Sequence, residues 1–223
     1  MQTIFQWVFI VIFSFTLNYA NESTFPKPIL QKGEKRFQPL KNYTLDDFHF
    51  NWHINYFDIV TYEVDPSLKL KKDPRFETVL DAGTVKMDKK RKKELDWLTK
   101  AILKKSYFWK IQYPMLLDYR FTSLRFLDEK GRFKAIGTLH DILDMLGEID
   151  TEAELHLWIF ASEQPYWQPY SYKKIGTLYR VRFRLISECS YEERFRYYNR
   201  EGDAVKNKKI KAIRKTNCEE PVM

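Results

Sequence analysis

Charge is missing altogether from the first twenty residues, which contain no Lys, Arg, Asp or Glu. Ile4 to Leu17 is almost wholly apolar, broken only by Gln6, Ser14 and Thr16, and small Ala20 follows after a polar step. A run of this length is too short for a hydrocarbon core of about 30 Å, which takes roughly 20 residues to cross. It matches the hydrophobic region of a secretory signal, cleaved near Ala20. The missing basic residue ahead of the run and bulky Asn18 depart from that pattern, and an uncleaved short anchor is the rival reading. The expectation is a periplasmic or secreted protein, with residues 1–20 as signal peptide. No second apolar stretch approaches membrane length, so no transmembrane span is expected in the mature chain.

Cysteine is nearly absent: Cys189 and Cys218 are the only two. Neither belongs to a CxxC pair or a zinc-type cluster, which argues against redox catalysis and structural zinc. In an oxidising compartment the pair reads as one disulfide closing a loop of about 30 residues, stabilising by roughly 3–4 kcal/mol. Glycine is scarce, with seven residues, and no glycine-rich phosphate loop occurs. GxSxG, HExxH and a Cys–His nucleophile pair are absent too. Catalysis is therefore not expected, although dispersed residues such as Asp46 with Asp47, or Asp118 with Asp128, would leave the same trace. Histidine offers little for metal. His49 and His53 would lie about 13 Å apart on a strand, His140 and Asp144 are two weak ligands on one helical face, and His156 reads as a core or boundary residue. No metal or cofactor is expected.

What is abundant is positive charge and aromatic surface. Lys and Arg number 38 against 30 Asp and Glu, a net +8. For an exported chain this favours anionic glycans, lipid headgroups or acidic protein surfaces over nucleic acid. AT-biased coding, which enriches Lys, Phe, Ile, Tyr and Asn, is the bland source of the same excess. Aromatics at 17% and hydrophobics at 44% are enough for a folded core.

Residues 21–43 read as a flexible tether, carrying Pro26, Pro28, Pro39 and Gly33 with no sustained period. The sequons at Asn21 and Asn42 are short enough to arise by chance. Residues 44–223 are expected to form one α+β domain with a possible sub-boundary near 114: a mainly antiparallel sheet, two covering helices and a C-terminal three-stranded meander. Alternation from Phe48 to Tyr56 predicts a strand, and Phe76 to Leu80 a short one. Helical spacing after Asp88 sets Leu95, Leu98 and Ile102 on one face, with Trp97 and Ala101 alongside and lysines opposite. Tyr119–Leu127 and Arg132–Ile136 form a hairpin about Asp128-Glu129-Lys130-Gly131. Thr138 and Asp141 cap a helix that Gly147 ends, and Glu154 to Phe160 is expected to return as a strand. Thr177–Ile186, Glu193–Tyr198 and Val205–Arg214 complete the meander, bringing Cys189 and Cys218 to one sheet edge.

Two surfaces invite a partner. With Tyr179, Val181 and Phe183 inward, Arg180, Arg182 and Arg184 face outward. With Phe195 and Ile210 inward, Arg194, Arg196, Lys209 and Lys211 join them. Seven cations on one face repel, so an anionic partner, or internal neutralisation by Glu188, Glu192, Glu193 or other acids, must offset them. The stretch Pro165 to Tyr172, with Tyr166, Trp167 and Tyr170, is long and aromatic for a loop and suits a partner hot spot or sugar platform; folding back over the core is its plainer role. The function expected is a non-catalytic envelope interaction or assembly component that binds an anionic or protein partner. A glycan-acting hydrolase or transferase, and a small-ligand carrier or sensor, are the alternatives.

Overall fold

The computed structural model describes residues 25, 28–64, 76–83, 85, 88–103, 109–112, 119–136, 138–163, 167–186 and 189–214. The expected signal segment, Tyr166 and Cys218 lie outside the described residues. The fold is α+β, with antiparallel pairing throughout. This is the expected mainly antiparallel α+β class; among the described residues there are two sheets and three helices, against an expected sheet with two covering helices.

The first sheet takes β2 (Ile54–Val64), β3 (Phe76–Gly83), β4 (Trp109–Gln112), β5 (Tyr119–Asp128) and β6 (Phe133–Ile136). Its path runs β3-β2-β5-β4, and β6 also pairs with β5. The β5–β6 hairpin forms where the sequence places it. Gly131 supplies the positive φ of its turn, and the Asp128 carboxylate accepts from the backbone N–H groups of Lys130 and Arg132. That backbone donation from Arg132, with its guanidinium alongside, holds the Asp128 carboxyl down at about 2. The second sheet runs β1 (Lys35–Arg36), β7 (Gln168–Ile175), β8 (Leu178–Ile186), β9 (Ser190–Tyr198) and β10 (Ala204–Arg214), in that order.

One core joins inward residues of both sheets, Phe57, Ile59, Leu124 and Phe126 from the first and Tyr179, Val181, Phe183 and Tyr198 from the second. The same core holds α2 (Leu139–Leu146) and α3 (Glu152–Ser162). Thr138 caps α2, accepting from the Asp141 amide, and Gly147 at φ 71° ends it. The other face of the first sheet carries α1 (Lys89–Leu103), whose Leu95 is buried against Tyr56 and Leu127.

Three expectations are corrected. Glu154 to Phe160 is helix, not strand. Its apolar residues surround the axis, as a helix buried on several sides requires, so no amphipathic period marks it. The signal present in the sequence is the capping box: Thr151 accepts from the Glu154 amide, and Glu154 reaches back to the Thr151 amide. Phe48 to Trp52 is not strand either. Short 3-10 turns at Leu40–Asn42 and Leu45–Asp47 lead into an irregular run, in which Phe48 and Phe50 stack on each other and meet Phe57 edge-on. The expected tether is, where described, part of the fold. Phe25, Leu40 and Tyr43 are buried, and β1 pairs with β7.

Candidate functional site

The seven expected outward cations do not share a face. Pairing of β8 with β9 sets Arg180 opposite Tyr197, Arg182 opposite Phe195 and Arg184 opposite Glu193. Phe195 therefore belongs to the arginine face, and Arg194 and Arg196 point the other way, where Phe183 and Tyr198 lie. There Arg196 pairs with Glu163, which also accepts from the Tyr198 hydroxyl. Arg194 pairs with Glu192 at 2.5 Å and sits 4.6 Å from the centre of the Trp167 ring. On β10, Lys209 opposes Arg194 and Lys211 opposes Glu193, because a register shift between them turns the two to opposite faces.

The face that Arg180, Arg182 and Arg184 do share is covered by the chain's own N-terminal segment. A turn at Gln31–Glu34, with Gly33 at φ +80°, delivers the Glu34 carboxylate to the sheet. Arg180 donates to Glu34 at 2.9 Å, and its guanidinium lies 4.2 Å from the Phe195 ring centre. Arg182 donates to Glu193 at 2.8 and 2.5 Å, to the Ile29 carbonyl at 2.9 Å, and reaches Glu34 at 3.4 Å. The Tyr191 hydroxyl donates to the same Glu193. Burial, followed by that hydrogen bond to a carboxylate, pushes the Tyr191 hydroxyl up. Further along, the Tyr170 hydroxyl donates to the Pro28 carbonyl, Lys173 donates to the Lys32 carbonyl, and Phe25 stacks on Tyr191. Internal neutralisation is thus the arrangement for Arg180 and Arg182, with Glu193 as one of the acids and Glu34 as a partner that sequence proximity does not indicate.

The aromatic stretch is mostly strand, since β7 begins at Gln168. Trp167 is buried in the core, which is the plainer role. Tyr170 lies between two guanidiniums, 5.2 Å from Arg36 and 4.6 Å from Arg184. Cys189 is buried and is not a free thiol.

Among the described residues, two clefts carry charge. One of about 330 Å³ lies beside the N-terminal turn, lined by Gly33, Lys35, Asp150, Glu152, Lys173 and Lys174 among others. Glu152 accepts there from the hydroxyls of Tyr43 and Tyr172 at 2.9 and 2.7 Å. The other, about 240 Å³, lies under α1 and is lined by Tyr56, Asp58, Asp81, Lys92, Asp96 and Arg125 among others. Asp58 and Asp81 oppose each other across β2 and β3, the arrangement from which two-carboxylate hydrolysis starts. Both oxygens of Asp58 are already engaged, however, by the Arg125 guanidinium and, on one of them, the Tyr56 hydroxyl. Burial raises the Asp58 pKa despite Arg125. Either oxygen must give up a hydrogen bond before it can donate a proton or attack, and the pair as it stands ties β2 to β5. Lining by so many charges also departs from the mainly apolar wall of a small-ligand carrier site.

The histidines stand apart. His49 and His53 are exposed, His140 approaches only Asp144, and His156 lies on α3 between the rings of Phe37 and Tyr43. Among the described residues no group of three or more His, Cys, Asp or Glu could hold a metal ion, and no helix is long and apolar enough to cross a membrane. The chain matches no family model, no curated protein and no solved structure.

Proposed function

We propose that this chain is an exported, non-catalytic interaction or assembly component of a cell envelope, and that it binds an anionic partner along β10. The observation that carries the reading is the exposure of this edge strand. Every residue of β10 except Ile213 is exposed, along 11 residues at the end of a sheet. It carries Lys206, Lys208, Lys209 and Lys211, with Val205 and Ile210 as exposed apolar contacts. Lysines blunt an edge against pairing with further copies, and Lys209 also reaches Glu192 at 3.6 Å. Four within six residues add a field that attracts an anionic surface. On the arginine face, by comparison, Arg180 and Arg182 already have Glu34 and Glu193 as partners.

Crosslinking with mass spectrometry in the native envelope tests the reading. A chain with Lys206, Lys208, Lys209 and Lys211 all changed to Ser should lose its partner crosslinks and remain folded. Retention of every partner overturns it. Export is tested on the same native material by intact mass: the expected chain starts at Asn21 and weighs about 2 Da less than its reduced form, the mark of a Cys189–Cys218 disulfide. A full-length chain with two thiols removes the envelope from the proposal.

A further inference from the structure

We infer that the arginine face of the second sheet is a groove for an acidic peptide, and that Phe25 and residues 28–36 are its resident occupant in cis. The groove is separate from the β10 edge and does not rest on it.

The way this segment is held is the basis. Apart from Phe25, which is buried against Tyr191, it buries little apolar surface of its own: Ile29 is 85% exposed and Leu30 37%. Regular pairing to the sheet amounts to Lys35 and Arg36 opposite Tyr172 and Ser171. What holds it otherwise is a row of side-chain donors aimed at main-chain carbonyls. Tyr170 reaches Pro28, Arg182 reaches Ile29 and Lys173 reaches Lys32, at 2.8–3.0 Å. Any extended peptide presents carbonyls, so these contacts read backbone rather than one sequence. Selectivity comes from two further points, the carboxylate of Glu34 at Arg180 and Arg182, and the ring of Phe25 on Tyr191.

The resident segment is a poor electrostatic match for its own groove. Lys35 lines the same cleft as Lys173 and Lys174, Lys32 and Arg36 add two more cations to the segment, and Glu34 is the one acid between Phe25 and Arg36. Like charges brought this close oppose binding. A peptide with acids in place of those cations keeps every carbonyl contact and removes the repulsion. It therefore competes with the segment for the groove.

The test uses the full chain and three labelled peptides: residues 25–36 as they stand, the same peptide with K32E, K35E and R36E, and the same with E34Q. The acidic peptide should bind at least roughly tenfold tighter than the unchanged one, and the E34Q peptide weakest. Amide hydrogen exchange of residues 28–36 in the chain should accelerate when the acidic peptide is bound. Arg182→Gln should weaken binding, and the four-lysine β10 variant should bind as the unaltered chain does. The inference is overturned if the acidic peptide binds no tighter than the E34Q peptide, or if binding leaves exchange at 28–36 unchanged. Loss of binding in the β10 variant overturns it too, by placing the peptide on that edge. The exchange measurement needs no substitution, so it decides the matter even if Arg182→Gln does not fold.

Discussion

Each sheet buries an arginine against a carboxylate with a tyrosine hydroxyl two residues from the acid, yet the two clusters are built to different ends. In the first sheet Asp58 and Arg125 face each other directly across β2 and β5, and Tyr56 donates to Asp58. These three groups all belong to the sheet. In the second, Arg182 holds Glu193 of the neighbouring strand while Tyr191 donates to Glu193, and the same guanidinium reaches out to Glu34 and Ile29 of the N-terminal segment. The Asp58–Arg125 pair ties one strand to its neighbour and so fixes register. An open one also fastens something that is not sheet, and can let it go.

Double replacement separates the two most sharply. Removing one partner of a buried pair leaves an uncompensated charge and costs about 3–5 kcal/mol, so Arg125→Ala and Arg182→Ala should both fall in that range by urea unfolding. Replacing both partners with apolar residues tends to be near neutral. Asp58→Leu with Arg125→Leu should therefore recover most of the loss. Arg182→Leu with Glu193→Leu should not, because Glu34 loses one of its two guanidinium partners and the Ile29 carbonyl loses its donor; about 2 kcal/mol or more should stay lost. Equal recovery in both sheets would erase the distinction.

Acid should act on the two regions with opposite sign. His156 packs against Phe37 and Tyr43 of the N-terminal segment, its Nδ1 has no partner, and burial lowers its pKa from 6.5 to about 4. Below pH 6.5 the unfolded chain takes up this proton first. Its contribution is full above pH 6.5 and is lost as pH falls through about 4, amounting to at most about 3 kcal/mol. Asp58 runs the other way, since burial raises its folded pKa above 3.8. Its contribution is present below 3.8 and is lost as pH rises through the folded value. Urea midpoints at pH 7.5, 5.5 and 4 should fall with acid in the native chain. They should fall less in His156→Leu and more in Asp58→Asn. A His156→Leu curve parallel to the native one would show that this ring does not set the slope.

How much of this the residues reveal follows from how local each cause is. The hairpin at Asp128–Gly131, the Thr138 cap and the strands β8 to β10 depend on neighbours in sequence, and all are legible there. Helix α3 hid because burial on several sides erased its period, leaving only Thr151 and Glu154 as a mark. That mark is substantial: buried Glu154 accepts from the amides of Asp150, Thr151 and His49. Glu154→Ala should cost about 2–4 kcal/mol by the same unfolding measurement. The face of β9 was misread because Phe195 looks inward by habit of its type, whereas the arginine face is itself covered and has room for a ring. Glu34 lies 148 residues from Arg182. No local pattern announces such a pair, and the proline-bearing segment around it has the composition of a linker.

The smallest change asks the sharpest question of the open cluster. Glu34→Gln keeps shape and one acceptor while removing the charge shared by Arg180 and Arg182. Glu193 still holds Arg182, so the global cost should be only about 1–2 kcal/mol, in the range of one charge-assisted bond. The local effect should be out of proportion: amides at 28–36 should exchange faster by roughly tenfold or more while those of β2 and β5 keep their native protection. If exchange rises equally across both sheets, the N-terminal segment is an ordinary part of the core and the open cluster fastens nothing separable. If it rises at 28–36 alone, the carboxylate is the latch, since the exposed Ile29 and Leu30 give the segment little apolar anchorage to fall back on.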